Sequence, residues 1–269
     1  MNRTGLPTLV GLPTLVLAAL FLGSGAAGQA QEAVAPAPAV ESAAIEPAAL
    51  DALDKMGAYL RTLNSFEVRS DATIDEVLES GQKLQFASTI HLRVRRPDHM
   101  WAEVASDRKT REFFYDGKTF TLWGPRNKLY ASFPAPATLI ELIERAEDGY
   151  GLALPLADLF RWGTEPTRRE AIQGAMLVGL AQLDGIPCDH FAFRQEGVDW
   201  QVWIQKGDSP LPRKLVITTT DEEAQPQYTN EMDWNLAPAL NDKMFTFAPP
   251  ADAHRISIRE ITAEPAPGK

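Results

Sequence analysis

The 269-residue sequence holds a single cysteine, so no internal disulfide can staple the fold and core burial must hold it together. It has no run of five or more basic residues, and its formal net charge is −10. A surface of that sign repels polyphosphate and anionic lipid head groups alike, which excludes nucleic acid as a partner. After residue 22 no apolar stretch approaches the ~20 residues that a spanning helix needs. The GxxxxGK[ST] phosphate loop, the GxSxG elbow and HExxH are all missing. Four histidines, His91, His99, His190 and His254, lie scattered without the short spacing of a metal site, so neither metal nor cofactor is expected.

What is present begins with an export signal. Arg3 precedes an apolar stretch from Leu6 to Leu22, and the small residues of GSGAAGQAQE follow. This is the pattern of a secretory signal peptide, residues 1–30, with cleavage near Ala30 and a periplasmic destination. Within it GLPTLV is repeated at 5–10 and 11–16. Removal of this segment takes Arg3 with it and leaves the remainder one charge more negative. Residues 31–48 (QEAVAPAPAVESAAIEPA) are Ala/Pro-rich with little to bury and read as a flexible tether. Residues 49–261 read as one domain, and 262–269 (TAEPAPGK) as a frayed tail.

Pro47 opens a helix in which Leu50, Leu53, Met56, Leu60 and Leu63 recur at three- and four-residue steps. The period then falls to two. In SFEVRSDATIDEVL, Phe66, Val68, Ala72, Ile74 and Leu78 share one face, and charged or polar residues such as Asp71 and Asp75 take the other. The next segment repeats this with Leu84, Phe86, Ile90, Leu92 and Val94. Such alternation predicts antiparallel strands with one dry face and one wet face. Carboxylates on the wet faces read as solvated surface. About eleven strands follow in this way. They are interrupted at 136–162 by a helical insertion in which Leu139, Ile140, Leu142, Ile143 and Ala146 form a stripe, and PLADLFRW is a shorter helix. So many sequential strands in one sheet must curl. The concave dry face then has to be filled by the helical segments and by whatever ligand shares that space.

IPCDHF (186–191) tests the enzymatic reading, because Cys188 stands beside Asp189 and His190. Strand neighbours point to opposite faces, so the three cannot converge as nucleophile, orienter and base. A Cys188–His190 dyad stays geometrically open, but no helix N-terminus or glycine elbow stands near to lower the thiol pKa. The stretch reads as a strand, and no catalytic residue is assigned.

Four motifs in order, RRPDHMWAEV (95–104), DGKTFTLW (116–123), LDGIPCDHFAF (183–193) and WQVWIQKGDSPLPRKLVI (200–217), resemble a family of predicted periplasmic proteins of unknown function related to the lipoprotein carrier LolA. The likeness spans most of 47–250. It implies an α+β, mainly β fold: an unclosed antiparallel half-barrel whose concave face is lidded by helices and holds an apolar cavity for acyl chains. It further implies that Arg96, just before the proline, latches the lid to the sheet, and that Met100, Ala102 and Val104 point inside. Where the carriers lead one to expect a bulky aromatic, this chain offers Met100 and Ala102. The remaining candidate ligand-binding residues come from the dry faces and the lid: Phe86, Ile90, Phe120, Leu122, Leu139, Leu142, Ile143, Trp200 and Val202. The expected function is binding of a lipid or acylated amphiphile by a monomer. The alternative is an envelope sensor of the same fold that acts through a protein partner, and the third reading is an enzyme using Cys188 and His190.

Overall fold

The computed structural model describes residues 44–162, 164 and 169–261. The expected signal peptide, most of the tether and the tail lie outside these residues. Helix α1 (Pro47–Thr62) starts on its proline and buries Ala49, Met56 and Leu60 against the sheet. Strands β1 (Ser65–Val77) and β2 (Lys83–Arg95) pair along their whole length, from Ser65 opposite Arg95 to Val77 opposite Lys83. They continue as a meander through β3 (His99–Ala105), β4 (Thr110–Asp116), β5 (Thr119–Gly124) and β6 (Leu129–Pro134).

The insertion forms α2 (Leu139–Tyr150) and the single turn α3 (Asp158–Arg161). α2 starts at a capping box, in which the Thr138 hydroxyl accepts from the Glu141 N–H and the Glu141 carboxylate from the Thr138 N–H. It stops at Gly151, whose φ of 64° is a left-handed conformation that a side chain would disfavour. A second meander follows in β7 (Gly174–Leu183), β8 (Ile186–Gln195), β9 (Val198–Gln205), β10 (Pro212–Thr219) and β11 (Gln227–Asn235).

The two meanders join where β1 pairs with β11, Val68 opposite Trp234 and Ala72 opposite Asn230. With the two-residue β12 (His254–Arg255) running parallel to β6, the described residues make one unclosed 12-stranded sheet, ordered β12-β6-β5-β4-β3-β2-β1-β11-β10-β9-β8-β7. This is the curled sheet that the alternation predicts and the half-barrel that the family resemblance implies. Its dry face carries Phe66, Val68, Leu92, Met100, Phe120, Trp200 and Val202 in one core with the apolar stripes of α1 and α2. On the opposite face a segment after β11 lays Phe247 across Phe114, Trp123 and Tyr130, with ring centroids 5.3, 5.6 and 5.1 Å apart.

Two features depart from simple alternation. Asp75, expected on solvated surface, is 8% exposed: it accepts from the Gln227 N–H at 3.1 Å and from Gln85 Nε2 at 3.3 Å. It thereby satisfies the first amide of β11. At the other end of the sheet, edge strand β7 has a bulge at Val178 and leaves Met176, Leu177, Val178 and Leu180 exposed, the last by 77%.

Candidate functional site

A cavity of about 300 Å³ opens between the concave face and the segment 153–162. Its walls are largely apolar: Leu154, Leu156, Leu159 and Trp162 from the insertion, with Ile74, Ile90, Val104, Phe113, Leu215 and Met232 from the strands. Polar groups enter at defined points. Asn230 is buried, its Oδ1 accepts from the Ser70 hydroxyl, and its Nδ2 donates to the Tyr228 hydroxyl at 2.8 Å. Burial pushes the Tyr228 hydroxyl up to about 12, so it stays a neutral donor or acceptor beside the cavity. Glu147 of α2 and Arg161 of α3 form an ion pair in the wall, and their side chains are 19% and 6% exposed. That pair ties the two lid helices together.

The predicted residues lie in several different settings. Ile90 and Val104 line the cavity. Met100, Ala102, Phe120, Leu139, Leu142, Ile143, Trp200 and Val202 are buried in the core where helices already fill the bowl, and none of them borders this cavity. Phe86 lies under the Arg108 guanidinium, 4.3 Å from ring centroid to carbon. Leu122 borders a separate surface groove with Arg111, Arg126 and Ile256. Arg96 places its guanidinium 5.3 Å from the Phe160 ring centroid, and its backbone N–H donates to the Asn64 carbonyl at 2.8 Å. Burial, and then the nearby Arg61, lower its pKa. Its Nε has no hydrogen-bond partner.

IPCDHF is held as three unrelated contacts. Cys188 is fully buried, with its thiol 3.5 Å from the Ile186 carbonyl, and burial raises its pKa. His190 stacks on Trp203 with centroids 3.9 Å apart, and its Nε2 meets Gln201 Oε1 at 2.9 Å. Burial lowers its pKa. Asp189 accepts from Lys206 at 2.9 Å. A buried, protonated thiol without a base is a poor nucleophile.

Sequence reasoning missed Arg111, Lys109, Tyr228, Asn230 and the wall from Leu154 to Trp162. The signal for Arg111 was in the chain: it shares strand parity with Phe113 and Tyr115, so a charge stands on the dry face. Ser70 and Ser88 likewise interrupt the dry faces of β1 and β2, next to the sites where β11 brings Asn230.

No curated protein matches the chain. Among solved structures it is similar to the lipoprotein LppX of Mycobacterium tuberculosis, with 14% identity, 73% of this chain and 100% of that one covered, and a TM-score of 0.47. It is similar to a chain of the Pseudomonas aeruginosa MucA/MucB complex at 17% identity, 81% and 67% coverage and a TM-score of 0.42. A LolA superfamily protein from Nitrosomonas europaea aligns at 11% identity over 74% of this chain and 97% of that one, with a TM-score of 0.32. A family model described as "Predicted periplasmic protein (DUF2092)" matches residues 49–259. The chain therefore belongs to the DUF2092 family of predicted periplasmic proteins.

Proposed function

We propose that the protein binds a lipid or other amphiphile in the periplasm, with an alkyl chain in the cavity beneath α3. The observation that carries this reading is the apolar cavity of about 300 Å³ between Leu154, Leu159 and the strand residues Ile90, Leu215 and Met232. At the ~30 Å³ that a water-sized group occupies in a liquid, the space holds roughly ten methylenes. Burying them gains roughly 8 kcal/mol at ~0.8 kcal/mol each. Before the costs of association, that corresponds to about micromolar affinity, a range suited to a carrier that must also release its ligand. The Glu147–Arg161 ion pair ties α3 to α2, and the Arg96 guanidinium over Phe160 supports a latch between α3 and the sheet. Organic extraction and mass spectrometry of protein purified from the envelope should return one amphiphile per chain. Its absence, together with failure to bind any added alkyl ligand, would remove the reading.

A second reading, an envelope sensor that acts through a protein partner, is favoured by the edge of β7. An exposed apolar edge strand is the surface that strand addition uses. Leu180→Lys should then abolish a stoichiometric complex that the unaltered protein forms with a partner. A complex that survives this change would move the contact elsewhere.

A further inference from the structure

On β4, Phe113 and Tyr115 are buried on the concave face, and Arg111 continues that row. It stands opposite Val104 and borders the cavity, as does Lys109 from the turn before it. Both cations are exposed, which puts them at the open end of the space. Neither side chain has an ion-pair or hydrogen-bond partner among the described residues. Farther in, Arg161 is 5% exposed: Nη2 donates to Glu147, and Nε is buried without a partner. Two carboxylates also line the cavity. Glu147 is engaged by Arg161, and Asp158 lies close enough to Tyr228 to raise its pKa. Three cations against two carboxylates make a basic spot on a chain whose net charge is −10.

We infer that the cavity takes a single-chain amphiphile with an anionic head, a carboxylate or a phosphate monoester, its tail beneath Leu154 and Leu159 and its head at Arg111 and Lys109. This rests on the amphiphile-binding reading above and adds the ligand class to it. An unpaired guanidinium beside an apolar wall gives up part of its hydration, and a bidentate oxyanion restores it with charge-assisted hydrogen bonds. A cationic head would meet like charges, and an uncharged one would form no charge-assisted pair with the exposed guanidinium.

Calorimetric titration of the intact protein with laurate, dodecyl phosphate, dodecanol and dodecyltrimethylammonium, each below its micelle concentration, separates the possibilities. Both anions should bind about tenfold more tightly than dodecanol, since a hydrogen bond to a charged group is worth about that factor, and the cation should bind most weakly. Whichever anion binds more tightly identifies the head, and either result supports the inference. In the Lys109→Ala/Arg111→Ala double variant the spread among the four should shrink to about twofold, and in the unaltered protein added salt should weaken laurate but not dodecanol. Equal binding of all four ligands to the unaltered protein would overturn the head-group assignment and leave the apolar cavity standing. Binding of none would overturn both.

Discussion

Val104 and Arg111 face each other across the β3–β4 ladder on the concave side of the sheet. Two rungs earlier Met100 faces Tyr115, both fully buried, and between them Ala102 faces Phe113. One ladder thus runs from solid core to open cavity within four residues. Burial raises the Tyr115 phenol pKa, and its hydroxyl donates to the Pro136 carbonyl at 2.7 Å, which fastens the closed end to the lid segment. On the proposed function, the Val104–Arg111 rung is where a ligand would enter.

Val104→Trp should fill that entrance. Affinity for an uncharged alkyl ligand should fall at least about tenfold, while overpacking at this half-exposed position should cost under about 2 kcal/mol. Ligand titration and urea denaturation measure the two effects. Unchanged affinity would place the ligand elsewhere.

Met100→Ala should behave in the opposite way. The side chain is fully buried and borders no part of the cavity, so its truncation should cost about 2–5 kcal/mol while alkyl affinity stays within about threefold. A stable variant that no longer binds would put Met100 in the site after all.

Glu147→Ala leaves Arg161 buried without its counter-charge and should destabilise by about 3 kcal/mol or more. Adding Arg161→Met should recover much of that loss, because no uncompensated charge then remains in the wall. Denaturation midpoints of the two variants make the comparison. Equal destabilisation would mean that the pair does not hold α2 to α3.

His190 predicts a pH dependence. Burial holds its folded pKa below the ordinary 6.5, the hydrogen bond to Gln201 only partly opposing this. Below pH 6.5 the unfolded chain takes up a proton that the folded chain resists. This contribution to stability is therefore complete above pH 6.5 and is lost as pH falls through the lowered pKa. His190→Gln should flatten the stability profile in that window, and an unaltered slope below pH 6.5 would contradict it.

Arg96→Leu removes the guanidinium that lies over Phe160. If Arg96 holds the lid, amide exchange in 158–162 should speed up about tenfold or more while the β1 and β2 amides keep their protection. Equal protection of α3 in both proteins would deny Arg96 that role.

The fold was legible in the chain because side-chain alternation is a local signal. Phe66, Val68 and Ile74 announce one dry face, Phe86, Ile90 and Leu92 the next, and the stripe Leu139, Leu142, Ile143 marks the helix that covers them. The site was far less legible. Parity tells which side a residue faces but not whether a helix or empty space lies beyond it, so Met100 and Val104 look alike in sequence. Leu215, Tyr228, Asn230 and Met232 of the cavity wall come from β10 and β11, which reach β1 only through a pairing between residues some 150 positions apart, such as Ala72 with Asn230. The breaks in alternation at Ser70, Ser88 and Arg111 were the available clues, because a polar residue on a dry face needs a partner or an opening.

Photolabelling with a fatty acid that carries a diazirine on its chain tests the central claim most directly. The account predicts saturable labelling of one site, mapped to Leu154–Trp162 and to the strand residues Ile90, Leu215 and Met232, and competed by unlabelled laurate. Label on the β7 edge, or spread over the surface without saturation, would contradict it.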